Sequence, residues 1–418
     1  MIYKKFLASV LALSLSVCTI ACADKDTTQN ESNKELSSLE SSRAFEEESR
    51  EESFSVGDSE SILEESSDYI SEESKDEDTS ESSESSEISI EESFDEPSGE
   101  ISEESSEAES ESEGAASEES SDESIDPALA DTFVIYGPEI SYELSWEDGG
   151  LELYNTDFRM SDVLSQKLKN QIASFANAQS IMLIELDTNM TFAYSKDTKI
   201  ATASSIKGPV GLYVNKCIDA GIISWDTYKS YQPHHFQANS TGSVQHYGFG
   251  TSFSVETLMD YMIRISDNQA YLMLKELVGA KNFNYMMKTL GCSEIIAPGS
   301  NWGYITAKEM AAAWREIYFY SLESESGAGL FDRYMHAQYN YIWRSIPQYE
   351  AAHKSGWSGK AFNDAGVVFA DGHEYVLVVL CGRSGVEDPR SQYQFTAITR
   401  LLAELMVEYN TYKTENGL

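Results

Sequence analysis

Ala203-Ser204-Ser205-Ile206-Lys207 stands where a polar loop gives way to an apolar helical run, and the rest of the chain is read outward from it. A serine and a lysine three apart on a helix lie one turn from each other on the same face. That spacing brings an amine to a hydroxyl that is otherwise a poor nucleophile. The helix is expected to run from near Ser204 to about Ala220, with Gly221 as its stop. Pro209 falls early in it, where a missing N–H does least damage. In a serine-rich chain this pair carries little weight alone, so its surroundings decide.

Upstream, Leu164, Leu168, Ile172 and Phe175 follow a helical face, with Ser161 as a cap. Ser180 to Leu186 is a continuous apolar run, and Thr191 to Tyr194 is its hairpin partner across Asp187-Thr188-Asn189. Short strands are expected at 132–136 and 142–146, the second ended by Gly149-Gly150. Downstream, helices are expected at 257–265, from Gln269 to Gly279 and at 306–318. The period then changes: Gly366 to Ala370 and Tyr375 to Cys381 read as strands across Asp371-Gly372. A last helix carries Phe395, Ile398, Leu402, Leu405 and Tyr409 on one face. This order predicts an α/β (α+β) chain, one sheet assembled from both chain ends with a helical insertion between them.

The 418 residues carry a net charge of −42, of which about 34 negative charges fall between Ala23 and Ala130 and roughly 10 in residues 131–418. No basic stripe exists to neutralise phosphates, which argues against a nucleic-acid partner. Lys4 and Lys5 precede an apolar run from Phe6 to Val17, too short to span a bilayer comfortably and flanked like a secretory signal. It ends in Thr19-Ile20-Ala21-Cys22, which resembles the bacterial lipoprotein box; the resemblance implies residues 1–22 as signal peptide, lipid on Cys22 and an extracellular domain anchored by that lipid alone. Ordinary cleavage near Ala21 or Ala23 is the alternative. Residues 23–130 are almost entirely Ser, Glu and Asp, too poor in apolar surface to offset ordering entropy, and are expected to form a disordered spacer. For a coil of that length the end-to-end size is about 50–60 Å, extended further by like charges. Cys217, Cys292 and Cys381 are scattered singly through apolar stretches and read as buried hydrophobes.

About 62 residues beyond Ser204 comes Ser266-Asp267-Asn268, at the junction of two helical runs, and about 88 beyond that Lys354-Ser355-Gly356, just before a strand. In order and separation, Ser204-x-x-Lys207, Ser266-Asp267-Asn268 and Lys354-Ser355-Gly356 resemble the motif set of the class A serine β-lactamases and their penicillin-binding relatives. The likeness extends to Tyr194-Ser195-Lys196-Asp197, Met262-Ile263, Thr306-Ala307, His353 before Lys354, and Asn363-Asp364-Ala365-Gly366. It covers the chain from about Ser161 to the C-terminus. It implies a β-lactamase/transpeptidase-like fold with an all-helical subdomain, and a monomer without cofactor.

The chemistry is sensible residue by residue. Ser204 at a helix N-terminus sits in a field that favours developing negative charge. Lys207, if neutral, takes its proton, and crowding by Lys354 pushes the lysine pKa down. Ser266 suits proton relay to the departing nitrogen, and Asn268 the amide side chain of the substrate. Lys354 and Ser355 suit the carboxylate that β-lactams and peptidyl-D-alanine ends share. The resemblance implies that the backbone N–H groups of Ser204 and Trp357, next to Gly356, form the oxyanion hole. Trp357 is expected to wall the cleft, Asp267 to fix its loop, and His353 to be a packed strand residue. His234-His235 are expected to be surface histidines without companions, and no metal site is expected.

One departure stands out. The class A enzymes carry a glutamate in an omega loop that activates the deacylating water. Here only about 14 residues separate Gly291 from Thr306, and Ala297-Pro298-Gly299-Ser300-Asn301-Trp302 lacks the Glu-x-x-x-Asn pattern. Glu294 lies too close to the preceding helix to take the role. The resemblance therefore implies a β-lactamase whose acyl-enzyme is released slowly. The alternatives are a D-alanyl-D-alanine carboxypeptidase and a non-catalytic wall-binding lipoprotein.

Overall fold

The computed structural model describes residues 133–238, 240–386 and 388–418. The expected signal peptide with Cys22, the acidic spacer and the start of the domain at 131 lie outside them. β1 (Leu144–Asp148) and β2 (Leu151–Tyr154) form a hairpin across Gly149 and Gly150, both with positive φ. α1 (Asp162–Ala173) starts where the Ser161 side chain accepts from the Leu164 N–H, and it buries Leu164, Leu168 and Ile172. The hairpin β3 (Gln179–Glu185) and β4 (Thr191–Tyr194) follows, then β5 (Ile200–Ala201). A 3-10 turn (Ala203–Ile206) runs directly into α2 (Lys207–Asp219).

The insertion comprises β6 (Tyr228–Ser230), β7 (Ser252–Ser254), α3 (Val255–Arg264), α4 (Asn268–Val278), α5 (Ala280–Thr289), β8 (Tyr304–Ile305), α6 (Ala307–Glu323), α7 (Glu325–Met335) and α8 (Tyr341–Ser345). The chain returns with β9 (Glu350–His353), β10 (Gly356–Trp357), β11 (Ala361–Ala370) and β12 (His373–Gly382), and closes with α9 (Arg390–Asn416). The insertion is helical apart from two small ribbons, β6–β7 and β5–β8.

The main sheet runs β1-β2-β4-β3-β12-β11-β10, with β9 also paired to β11, and every pairing is antiparallel. Early and late chain meet at β3–β12, where Tyr375 faces Glu185 and Cys381 faces Gln179. Met182 and Ile184 of β3 enter the core shared with α2, α3, α4 and α6, whereas Ile181 and Leu183 enter the core shared with α1 and α9. A strand buried on both faces favours apolar residues at successive positions, which is why the centre of β3, Ile181 to Ile184, reads as an unbroken run. Each such side chain contributes about 1.5–3 kcal/mol on burial.

Three expectations are corrected. Phe133–Tyr136 form no strand; their backbone is held by side chains instead. Glu316, buried against Lys216 at 2.8 Å, accepts from the Tyr136 and Gly137 N–H groups at 3.0 and 2.8 Å, and Lys216 donates to Val134 O. The strand expected at 142–146 begins later, and the glycine pair after it is a hairpin turn with β2 beyond, not an end. The helices α5, α7 and α8 had no strong sequence signal; Gly279 both stops α4 and starts α5, so a single glycine (φ +81°) hides a second helix. Among the described residues no helix is long and apolar enough to cross a membrane.

Candidate active site

The 3-10 turn carrying Ser204 is fixed from three sides. Asn363 of β11 donates to Ala201 O (2.8 Å) and Thr202 O (3.2 Å), while Thr202 N–H donates to Gly303 O (2.9 Å). Ala203 is held at φ +45°, a conformation non-glycine residues rarely adopt and one stored where surrounding contacts over-determine it. On the third side β10 passes so close that a Cβ on Gly356 would lie 2.2 Å from Ser205 N and 2.6 Å from Ser204 N. Only glycine fits there.

Lys207 opens α2 fully buried, with Nζ 3.0 Å from Ser204 Oγ, 2.6 Å from Ser266 O and 2.5 Å from Asn268 Oδ1. A neutral amine has two N–H donors and one lone pair. The two carbonyl oxygens take the donors, and the lone pair is left for the Ser204 hydroxyl. Burial, then the nearby Lys354 charge, holds the Lys207 pKa well below its ordinary value, with Asp267 opposing. The crowding read from sequence is thus real but second to desolvation.

Ser266 sits at φ +59° between α3 and α4, its Oγ 3.3 Å from Lys207 Nζ and 3.1 Å from Lys354 Nζ. Asp267 fixes that junction as expected: Oδ1 accepts from Ala270 N–H (2.9 Å), and Oδ2 from Ser243 and Val244 N–H (2.6 and 2.8 Å). Thr241 adds a bond from Oγ1 to Ser266 O at 2.8 Å, a contribution with no local sequence signal. Lys354 and Ser355 occupy the break between β9 and β10, both buried. The ladder bonds from Lys354 N–H to Ala365 O (2.9 Å) and from Ser358 N–H to Ala361 O (2.8 Å) set the parity of this edge. By that parity the Trp357 N–H points away from β11. Its indole is exposed and lines the cleft, as expected.

Hydrogen bonds connect Ser204 and Asn268 to Lys207, Lys207 to Ser266 and Ser266 to Lys354, and Ser355 and Gly356 lead from Lys354 to Trp357. Ser204, Asn268 and Trp357 line one cleft of about 620 Å³. Among the described residues that line it, none is Asp or Glu. Trp302 stacks on Tyr271 at 4.8 Å, and Lys207 Nζ lies 5.6 Å from the Trp302 ring. Lys275 holds this loop through Ser300 O (3.0 Å) and Asn301 Oδ1 (2.7 Å), and Tyr271 OH donates to Asn301 O (2.7 Å). Glu294 is exposed and is not among the lining residues.

The histidine pair is not as expected. His235 is buried, and both His234 Nε2 (2.8 Å) and His235 Nε2 contact Glu276 Oε2, with Lys229 on its other oxygen at 2.9 Å. The partner lies about 41 residues away in α4, beyond any local pattern. Three metal-type donors meet here, yet they fit a resident ion poorly. His235 Nδ1 accepts from Gln232 N–H (3.0 Å), which places the proton on Nε2 and removes the lone pair a metal needs. In the other such cluster, Glu185, Asp187 and His373, Lys413 Nζ sits 2.6 Å from Glu185 and 3.1 Å from His373, where a cation would go. Cys217, Cys292 and Cys381 are free and buried, and burial pushes the Cys217 thiol up to about 11.

The two lysines set a pH window. Burial lowers Lys354 from 10.5 to about 8, with Asp364 opposing. Below that pH the ammonium is charged and can hold a carboxylate; above it the charge is lost. Second-order reaction of Ser204 with a carboxylate-bearing acylating agent is expected to fall as pH rises through about 8. Stability moves the other way: between about 8 and 10.5 the unfolded chain binds more protons, so folding gains as pH rises. A pH–rate profile flat to pH 10 would refute the assignment of Lys354.

A family model described as the beta-lactamase enzyme family matches residues 163–406. Among solved structures, the fold is similar to PBP-A, at 21% identity and a TM-score of 0.55, covering 59% of this chain and 97% of that chain. A PBP-A variant solved as an acyl-enzyme complex with penicillin G gives 22% identity, the same TM-score and the same coverage. A β-lactamase from Chitinophaga pinensis gives 19% identity and a TM-score of 0.53, covering 59% of this chain and 100% of that one. No curated protein sequence matches the chain.

Proposed function

Because the chain belongs to the beta-lactamase enzyme family, we propose that it is a serine hydrolase that opens β-lactam and peptidyl-D-alanine amides through an acyl-enzyme on Ser204, and releases β-lactam adducts slowly. The observation that carries this reading is the contact of Lys207 Nζ with Ser204 Oγ at 3.0 Å, the two N–H groups of the neutral amine being donated to carbonyl oxygens. Ser204 Oγ bonds to the amide carbonyl carbon as its proton passes to Lys207. The N–H groups of Ser204 and Trp357 receive the oxyanion, a contribution of about 3 kcal/mol per donor in such sites. As the C–N bond breaks, Ser266 gives its proton to the leaving nitrogen and is reprotonated from Lys207, which it touches at 3.3 Å. Lys354 and Ser355 hold the substrate carboxylate, and Asn268, whose Oδ1 is committed to Lys207, offers its NH₂ to the substrate amide.

Slow release rests on what surrounds the ester. A D-alanine leaving group departs and vacates its side of the cleft for water. A β-lactam leaving amine stays attached and blocks that side. Water must then approach from the other face, where Trp302, backed by Tyr271, presents aromatic surface and no carboxylate among the described lining residues supplies a base. This favours the penicillin-binding peptidase alternative over an efficient β-lactamase, and the penicillin G acyl-enzyme of a PBP-A variant is consistent with it.

The test is reaction of the whole protein with penicillin G, read by intact mass, and with a chromogenic cephalosporin, read by turnover. One persistent adduct per chain and a single-equivalent burst are expected. Steady hydrolysis would favour the β-lactamase reading, and no adduct would favour a non-catalytic surface module.

The same proposal puts the enzyme outside the cell, held by a lipid on Cys22 with residues 23–130 as spacer; it rests on the leader composition. Labelled palmitate should enter the wild-type protein and not a Cys22→Ser variant. Equal labelling of both would sink the anchor.

A further inference from the structure

We infer that His353 and Asp364 form a buried positioning pair that fixes Lys354 as the anchor for a substrate carboxylate. The inference rests on the acyl-enzyme reading above and extends it beyond the residues that face the cleft.

Both side chains are fully buried, with His353 Nδ1 2.9 and 3.1 Å from the two Asp364 oxygens and Nε2 3.1 Å from Ala337 O. Asp364 also accepts from the N–H groups of Tyr341 (3.0 Å), Ile342 (3.2 Å) and Ala365 (3.0 Å). The pair is thus hydrogen-bonded at both ring nitrogens and at both carboxyl oxygens. It joins four pieces of chain: the end of β9, the middle of β11, the N-terminus of α8 and Ala337 just beyond α7.

The next residue along the chain is Lys354, at the break where β9 gives way to β10. Among the described residues its side chain has no carboxylate in contact, and Nζ reaches Ser266 Oγ and Ser355 O, each at 3.1 Å. The position of that ammonium is therefore set by its backbone, which the ladder bond to Ala365 O ties to the residue after Asp364. Register at this point is tight, since a Cβ on Gly366 would lie 2.1 Å from Ala352 O. Releasing His353 lets the end of β9 move and carries Lys354 out of line with Ser266. Lys207 and Ser204, held by α2, Ser266 O and Asn363, keep their places.

The test compares acylation of the whole protein by penicillin G and by its methyl ester, which keeps the acyl group but lacks the carboxylate. In His353→Ala the second-order constant for penicillin G is expected to fall more than tenfold and that for the ester less than twofold. His353→Asn, which keeps a donor at the Nδ1 position, should retain most of the preference for the acid. An equal fall for both probes would mark the pair as structural only and overturn the inference, as would no change for either. Should His353→Ala fail to fold, Asp364→Asn is read by the same ratio. A wild-type chain that takes no penicillin G at all would bring down the acyl-enzyme reading first. A wild type that is acylated, with an unaltered preference in the variants, would bring down this inference alone.

Discussion

Ser204→Ala is expected to abolish acylation by penicillin G, with no adduct by mass after hours and a rate loss of about 10⁶ or more, the scale seen when a catalytic serine is removed. The half-buried Ser204 hydroxyl lines the cleft and is the one in contact with Lys207 Nζ, at 3.0 Å. The turn itself should survive, because Asn363 and Gly303 hold its backbone and not the Ser204 side chain. Thermal midpoint and circular dichroism should match the wild type. Retained reactivity would mean that the nucleophile is elsewhere.

The second large effect is expected at Lys207. Lys207→Met keeps the length of the side chain in a fully buried site but removes the lone pair that accepts the Ser204 proton. Loss of a positioned base typically lowers rates by about 10²–10⁴. Ser266 O keeps its bond from Thr241 Oγ1, but Asn268 Oδ1 loses its donor, so stability should fall by about 1–3 kcal/mol. Lys207→Arg separates charge from basicity, since guanidinium does not deprotonate in proteins. It should be as slow as Lys207→Met. Pre-steady-state acylation by penicillin G measures both, and a fast Lys207→Arg enzyme would show that the residue acts only as a charge.

Several parts of this site were legible because their cause is local. Ser204 and Lys207 share a helical face by spacing alone, and Ser161 announces its helix by capping. β3 betrays burial on both faces by its unbroken apolar run. Asp267 was read as a loop residue, and its three amide bonds bear that out. The short loop before Thr306 was also read as lacking a Glu-x-x-x-Asn pattern, and none of the described residues lining the cleft is Asp or Glu. What fills the space did not follow, because Trp302 reaches Lys207 only through its stack on Tyr271, about 31 residues earlier. His234 is exposed as read, but the burial of His235 and the shared partner were missed for the same reason: Glu276 meets both from another helix.

From residue order and side-chain type alone came the shared helical face of Ser204 and Lys207, the order of the three polar clusters, and a sheet drawn from both chain ends; the roles expected of that serine and lysine came from the resemblance. Helix spacing and strand alternation act over a few residues, so a linear reading reaches them. Tertiary closure alone decided that Lys207 has its donors spent on two carbonyls, that Asn363 and Gly356 pin the nucleophile turn, and that His353 and Asp364 lie beneath Lys354. Each of those depends on burial and on partners distant along the chain. Desolvation, which sets the charge of both lysines, exists only once the two cores have closed around them.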